Sequence, residues 1–194
     1  MRVASLAVVL FVGTVAFAQD PAKLAEGLAD ADPGARERAA LALKALGKQA
    51  APATAALLKA SEDRAFKVRV AATQALGALG APPTPAVLAR LSELLGDKSA
   101  QVQAAAAGCV LELGVSAQLL ARVRPLLGHK QWGVRAGGIQ CLASAGAAAK
   151  DDLPSLDELA AKDPSPSARA EAKKAAAKIR QDLAQLAAAA AETK

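Results

Sequence analysis

The side chains best suited to chemistry are few in this chain, and none has a partner at a catalytic spacing. His129 is the only histidine, and Cys109 and Cys141 are the only two cysteines. The sequence contains no glycine-rich phosphate loop, no Gly-x-Ser-x-Gly, no Cys-x-x-Cys and no His-Glu-x-x-His. Because no base, nucleophile or carboxylate is fixed beside His129 by spacing, we expect no catalytic residue, no metal site and no cofactor.

Arginine recurs along the chain at a nearly constant interval. Aligning Arg36, Arg69, Gln103, Arg135 and Arg169 gives spacings of 33, 34, 32 and 34 residues. A period of this length is typical of stacked two-helix repeats, since one unit alone cannot bury its apolar face. Aspartates recur in the turns before these positions, and this regularity favours a structural role over ligand binding. Gln103 interrupts the series, and Gln131 lies where repeat 4 would have an aspartate.

Apolar residues inside each repeat follow helical spacing, most clearly from Val68 to Gly80. The composition agrees, with 53% hydrophobic residues, 2% aromatic residues and no tyrosine. We therefore predict an all-α chain with a leading helix at 20–29 and repeats at about 30–60, 61–95, 96–127 and 128–161. A C-terminal capping helix at about 163–190, polar on its outer side, should close the array.

The phrase Val68-Arg69-x-x-Ala72-x-x-Ala75-Leu76-x-x-Leu79-Gly80 resembles the HEAT repeat, and the resemblance extends from Asp20 to about Leu186. The short period is more similar to compact HEAT-like repeats of bacterial proteins and phycobilin lyases. The resemblance implies an α-solenoid of about five two-helix repeats, in which second helices line a concave, protein-binding surface. It also implies a ladder of contacts between turns, formed by Asp32, Arg36, Asp63, Arg69, Asp97, Arg135, Asp163 and Arg169.

The two cysteines hold the same position in repeats 3 and 4. Equivalent residues on stacked helices lie about 10 Å apart, beyond the Cα separation of about 4.4–6.8 Å that a disulfide needs. An oxidising compartment would permit a Cys109–Cys141 disulfide, but this spacing favours two small, buried and inert thiols.

The second helices contain exposed cations that could bind a partner. Arg90, Arg122 and Arg124 lie off the leucine stripe, so we expect them to face outward on the concave surface. The competing interpretation is a solvated face with no ligand.

The loop His129-Lys130-Gln131-Trp132 joins repeats 3 and 4 and holds the only tryptophan. Tryptophan often dominates binding at interfaces, which makes His129, Lys130 and Trp132 candidate partner contacts. However, Pro33, Phe66, Ala100 and Pro166 hold the same repeat position as Trp132. That equivalence favours a structural role in which Phe66 and Trp132 cover the seam with the preceding repeat.

Residues 1–18 differ from the rest of the chain. They are apolar or small apart from Arg2, and they end in Ala16-Phe17-Ala18, a small-x-small pattern. We predict a signal peptide at 1–18 and a mature repeat domain at 19–194, exported to the periplasm or secreted. The alternative is an uncleaved membrane anchor.

Together these features predict a non-enzymatic binding or scaffold module that captures another protein or a peptide, as a monomer without stable membrane insertion. Two alternatives are a lyase or chaperone that handles a pigment or prosthetic group, and a nucleic-acid-binding protein. A third is a purely structural envelope component. The net charge is +6, but export and the scarcity of aromatic residues argue against nucleic acid.

Overall fold

The computed structural model describes residues 20–80, 82–114 and 117–192, so the predicted signal peptide at 1–18 lies outside the described residues. These ranges form α-helices joined by turns and short 3₁₀ segments, without a β-strand. The α-helices are α1 (Pro21–Gly27), α2 (Pro33–Leu46), α3 (Thr54–Ala60), α4 (Phe66–Ala78), α5 (Pro85–Leu94), α6 (Ala100–Leu113), α7 (Ala117–Val123), α8 (Trp132–Ala145), α9 (Leu153–Lys162) and α10 (Pro166–Glu192). The 3₁₀ segments are Gly47–Ala53, Arg124–Gly128 and Gly146–Asp152.

The helices stack as successive pairs. The first helices of the repeats, α2, α4, α6, α8 and α10, each pack against the next in chain order. The second helices α3, α5, α7 and α9, with their 3₁₀ segments, lie beside them, while α1 packs against α2 and the segment Gly47–Ala53. The prediction of an all-α solenoid is confirmed.

Glycine ends the first helix of each of the first four repeats. Gly47, Gly80, Gly114 and Gly146 have φ values of 55°, 81°, 89° and 57°. An L-residue with a side chain rarely adopts this left-handed region, whereas glycine enters it without a steric cost. After Gly47 and Gly146 the chain continues through a 3₁₀ segment into the second helix of the repeat.

One continuous apolar core runs between the two rows of helices. Its largest fully buried side chains include Leu43, Leu57, Val68, Leu76, Leu91, Leu94, Val102, Leu119, Ile139, Leu142, Leu156 and Ile179. Small residues let some helices approach closely: a Cβ placed on Gly137 of α8 would lie 3.0 Å from the Cβ of Ala107 in α6. The core therefore depends on glycine and alanine as well as on leucine.

The last helix, α10, is 27 residues long and extends past the stacked core. Ala172, Ala175, Ala176 and Ile179 are buried against α8 and α9, whereas residues 184–191 are exposed. Lys173, Lys174 and Lys178 lie on its exposed side.

Candidate functional site

Three arginines of the first helices bind the aspartate of the following turn through two hydrogen bonds each. Arg36 Nε and Nη2 donate to Asp63 at 2.6 and 2.9 Å, and Arg69 makes the same pair of bonds to Asp97 at 2.9 and 2.9 Å. Arg135 binds Asp163 at 2.6 and 2.6 Å, with both residues buried. We call these three pairs the ladder. Such planar, bidentate pairs fix one repeat against the next.

The same arginines also hold their own turns. Arg36, Arg69, Arg135 and Arg169 each donate Nη1 to the backbone carbonyl six residues earlier, at 2.7–2.8 Å. Gln103 keeps this contact through Nε2, which lies 2.6 Å from the carbonyl oxygen of Asp97. Arg36, Arg69 and Arg135 therefore each make contacts within their own turn and with the following turn.

Two residues expected in the ladder lie outside it. Asp32 instead caps α2, accepting from the backbone N–H groups of Gly34 and Ala35 at 3.1 and 2.9 Å, and the residue equivalent to Asp63 is Asp30. Within the described chain Arg169 bonds only to backbone carbonyls of its own turn, and α10 runs on to Glu192.

The ladder is interrupted between repeats 3 and 4. The ladder aspartate is replaced there by His129, not by Gln131 as expected, because His129 lies six residues before Arg135. His129 Nδ1 accepts from the backbone N–H of Gln131 at 3.1 Å, which copies the cap that Asp63 Oδ1 gives to Ala65 at 2.8 Å. This hydrogen bond gives His129 a structural role in the turn.

The ladder contacts lower the pKa of their carboxyl groups. Hydrogen bonds from Arg36 hold the pKa of Asp63 below its ordinary value, and those from Arg135 do the same for Asp163. At Asp97, burial raises the pKa, but the bonds from Arg69 and the backbone of Ser99 outweigh it and leave the pKa lowered. The three aspartates are therefore anions near neutral pH, each neutralised by its arginine.

Of the three cations expected to face outward, Arg122 and Arg124 are exposed and Arg90 is half-buried, while Arg90 and Arg124 form ion pairs within the chain. Arg90 donates to Ser61 Oγ and to the Ser61 carbonyl at 2.8 and 2.6 Å, and pairs with Glu93 at 2.6 Å. It thereby donates a hydrogen bond to a carbonyl at the C-terminal end of α3, where backbone carbonyls have no partner within the helix.

Arg124 is 44% exposed, and it binds the buried carboxylate of Asp152 at 2.6 and 3.1 Å. Arg122 is exposed, and within the described chain it forms no ion pair. Of these three arginines, Arg122 alone has no ion pair within the described part of the chain.

The two aromatic residues at the start of first helices are accessible rather than buried in a seam. Trp132 is 54% exposed and Phe66 is 42% exposed. Trp132 borders a cleft of about 640 Å³ whose other lining residues include Lys130 and, from the following turn, Pro164 and Ser165. Phe66 borders a cleft of about 300 Å³ shared with Pro33 and Gly34 of the preceding repeat. The expectation that both cover the seam with the preceding repeat therefore fails for Trp132.

Sequence reasoning missed a feature of these turns. Arg64 and Lys98 hold the same repeat position as Lys130, five residues before Arg69, Gln103 and Arg135. All three side chains are exposed. Aligning the turns as carefully as the helices would have revealed this series. We call the set Arg64, Lys98 and Lys130 the cation row.

The cysteines are both free and buried. Burial raises the pKa of the Cys109 thiol, aided by the charge of Glu112, and raises the pKa of Cys141 to about 12. Cys141 Sγ donates to the Ala107 carbonyl at 3.4 Å. Such thiols are protonated near neutral pH and react slowly.

Among the described residues no group of three or more His, Cys, Asp or Glu side chains could hold a metal ion. The same part of the chain has no helix with the length and hydropathy required to cross a bilayer.

Stacked helix pairs of 32–34 residues, joined by turn-to-turn arginine contacts, define a helical-repeat protein. The family described as HEAT repeats matches residues 21–110 and 89–177, so the chain belongs to the HEAT-repeat family. HEAT-repeat proteins generally mediate protein interactions. A search of curated proteins gives no match.

Solved structures share the fold. Two engineered proteins are 20% and 22% identical to the chain, with TM-scores of 0.65 and 0.66. The alignments cover 82% and 84% of this chain and 78% and 80% of theirs. The complex of CpcE and CpcF of phycocyanin lyase from Nostoc sp. PCC7120 is 22% identical with a TM-score of 0.61, covering 80% of this chain and 96% of that chain.

Proposed function

We propose that this chain is a non-enzymatic interaction module that binds another protein or a peptide. The observation that carries this proposal is the exposure of Trp132 beside a cleft built by two repeats. A large aromatic side chain with one accessible face supplies much binding energy when a partner covers it. Because Arg90 and Arg124 are engaged internally, we place binding at the turns that precede α4, α6 and α8, called here the turn edge.

We also propose that the protein acts after export, as a monomer without a cofactor, in the periplasm or outside the cell. The apolar segment and its small-x-small ending at Ala16–Ala18 support this location. An intact mass of the native protein from exported and cytoplasmic fractions tests it. A mass matching residues 19–194 in the exported fraction is expected, and a full-length chain confined to the cytoplasm would contradict export.

Site-specific crosslinking tests the interaction itself. A photoreactive amino acid at position 130 should give a discrete adduct in the native organism, because Lys130 borders the cleft beside Trp132. The matched control places the same group at position 150, where Lys150 is also exposed. Adding Trp132→Ala should reduce the adduct from position 130. Equal adducts from both positions, or none from position 130, would count against binding at the turn edge.

A second candidate is a lyase-like or chaperone-like protein that handles a pigment, and the fold similarity to the phycocyanin lyase complex favours it. Mixing the mature protein with a free bilin and recording the absorbance spectrum tests this candidate. A spectral shift that saturates at one bilin per chain would support pigment binding. An unchanged spectrum would leave the interaction module as the proposal.

A further inference from the structure

The cation row places one positive side chain in each of three consecutive turns. Arg64, Lys98 and Lys130 are exposed, and no carboxylate of the described chain forms an ion pair with them. Lys67, also exposed, lies beside Phe66 at the same edge. Three unpaired cations at equivalent positions form a regular positive surface rather than a scattered one.

The neighbouring carboxylates do not cancel this charge. Asp63 and Asp97, one residue before Arg64 and Lys98, are held by Arg36 and Arg69 in the ladder. Glu62, two residues before Arg64, is exposed and lies 3.9 Å from Arg90, which pairs more closely with Glu93 at 2.6 Å, so Glu62 offsets part of the charge at the Arg64 end of the row. In repeat 4 the ladder aspartate is replaced by His129, so Lys130 has no adjacent carboxylate in sequence. The middle of the turn edge is therefore net positive.

The spacing of the row specifies the geometry of an anionic ligand. Stacked helices lie about 8–10 Å apart, so equivalent turn residues in consecutive repeats have a similar separation. A polyproline II segment rises about 3.1 Å per residue with about three residues per turn, which puts every third side chain on one face about 9 Å apart. Carboxylates at every third residue of such a segment match the row one to one.

We infer that the turn edge binds an extended acidic segment of another protein, with carboxylates at every third residue facing Arg64, Lys98 and Lys130. This inference rests on the proposed function and names its partner's chemistry. Phe66 and Trp132, each two residues after an outer cation, lie at the two ends of the row. They accommodate apolar side chains that flank the acidic residues.

The probe is a fluorescein-labelled nine-residue peptide with Asp at positions 1, 4 and 7 and Pro or Ala elsewhere, measured by anisotropy with the mature protein. Binding should weaken as salt rises, because exposed ion pairs are screened. Binding of an unlabelled peptide of the same sequence should also change the emission of Trp132, the single tryptophan. A scrambled peptide with Asp at positions 1, 2 and 3 should bind several-fold more weakly.

Two protein variants with equal loss of charge separate the row from general attraction. Arg64→Gln/Lys98→Gln/Lys130→Gln should weaken peptide binding about tenfold. The control Lys48→Gln/Lys150→Gln/Lys173→Gln removes three other exposed cations and should leave affinity nearly unchanged. All six side chains are exposed, so thermal melts should show both variants folded.

Several results would overturn the inference. If both protein variants weakened peptide binding equally, the peptide would be attracted only by the net charge of the protein. If the scrambled peptide bound as tightly, the spacing of the carboxylates would not matter. Equal binding of a heparin fragment or single-stranded DNA of matched charge would show that the edge does not select a peptide. If no acidic peptide binds while crosslinking from position 130 still captures a protein, this inference fails and the proposed function stands. If neither peptide binding nor crosslinking is observed, both the inference and the proposed function are wrong.

Discussion

Gln103 and His129 occupy, in adjacent repeats, the two positions that other repeats fill with a ladder arginine and a ladder aspartate. Each keeps the contact within its own turn, Gln103 with the Asp97 carbonyl and His129 with the Gln131 N–H. Neither residue carries the charge that a bidentate ion pair needs. Gln103 Oε1 is buried and has no hydrogen-bond partner among the described residues. The ladder contact between repeats 3 and 4 is therefore missing, and the Arg124–Asp152 ion pair joins these two repeats at their 3₁₀ segments instead.

Restoring the missing pair should stabilise the array. In Gln103→Arg/His129→Asp, the guanidinium would replace an unpartnered buried oxygen and could bind the new carboxylate as Arg69 binds Asp97. We expect a favourable coupling energy on the order of 1 kcal/mol between the two substitutions, from urea melts of both single variants and the double variant. Additive effects of the two substitutions would show that the side chains do not meet.

Removing an existing ladder partner should be costly. Asp163→Ala leaves the buried guanidinium of Arg135 without its carboxylate and removes the cap on Ser165, whose N–H lies 2.8 Å from Asp163 Oδ1. Loss of one partner of a buried pair costs about 3–5 kcal/mol, which thermal or urea unfolding will resolve.

Asp157→Ala provides the matched control for that loss. Asp157 pairs with Arg180, but these side chains are 49% and 53% exposed. An exposed pair contributes at most about 1 kcal/mol, so unfolding should change little. Similar losses of unfolding free energy for Asp163→Ala and Asp157→Ala would mean that a ladder pair stabilises the fold no more than an exposed ion pair does.

Two glycines inside helices should respond in opposite directions to alanine. Gly137→Ala would bring a Cβ to 3.0 Å from the Ala107 Cβ, and overpacking of this kind costs about 1–3 kcal/mol. Gly108→Ala meets no atom within 4 Å and should gain up to about 1 kcal/mol from helix propensity. Urea unfolding of both variants measures the difference. A Gly137→Ala variant as stable as Gly108→Ala would show that α6 and α8 separate freely.

Acid should weaken the protein through the ladder aspartates. The pKa values of Asp63 and Asp163 are lower in the folded state than the ordinary value of 3.8. The unfolded chain therefore takes up protons first as pH falls, so their contribution is complete above about pH 5 and is lost as pH falls through 3.8 and below. Asp163→Ala should flatten this part of the stability–pH curve in urea melts at constant ionic strength. An unchanged slope would assign the acid sensitivity to other carboxyl groups.

The helices could be predicted because local signals agree with packing. Glycines 47, 80, 114 and 146 each end a first helix with positive φ, and the leucine and alanine stripes face the core. The 3₁₀ segments were not predicted, because tertiary contacts set these short turns and few sequence signals mark them. The long α10 follows from the absence of a stop glycine at Arg180.

The candidate site was harder to predict because outward spacing on a helix does not reveal partners from another repeat. Arg90 meets Ser61, 29 residues earlier, and Arg124 meets Asp152, 28 residues later. Neither partner can be inferred from the sequence of the helix or 3₁₀ segment that contains the arginine. Trp132 illustrates the same limit, since equivalence with Pro33 and Pro166 says nothing about how far an indole extends beyond the turn.

The bond from each first helix to the carbonyl of its own turn has a consequence for how such a protein can change length. Every residue has a backbone carbonyl, so this contact does not depend on the side chain of the accepting residue: four turns make it with the carbonyl of an aspartate and one with the carbonyl of His129. A gene duplication that adds one whole repeat would carry its turn-closing bond with it. The duplicated turn would therefore keep its own hydrogen bond. Only the ladder pair would require an arginine in one repeat and an aspartate in the next.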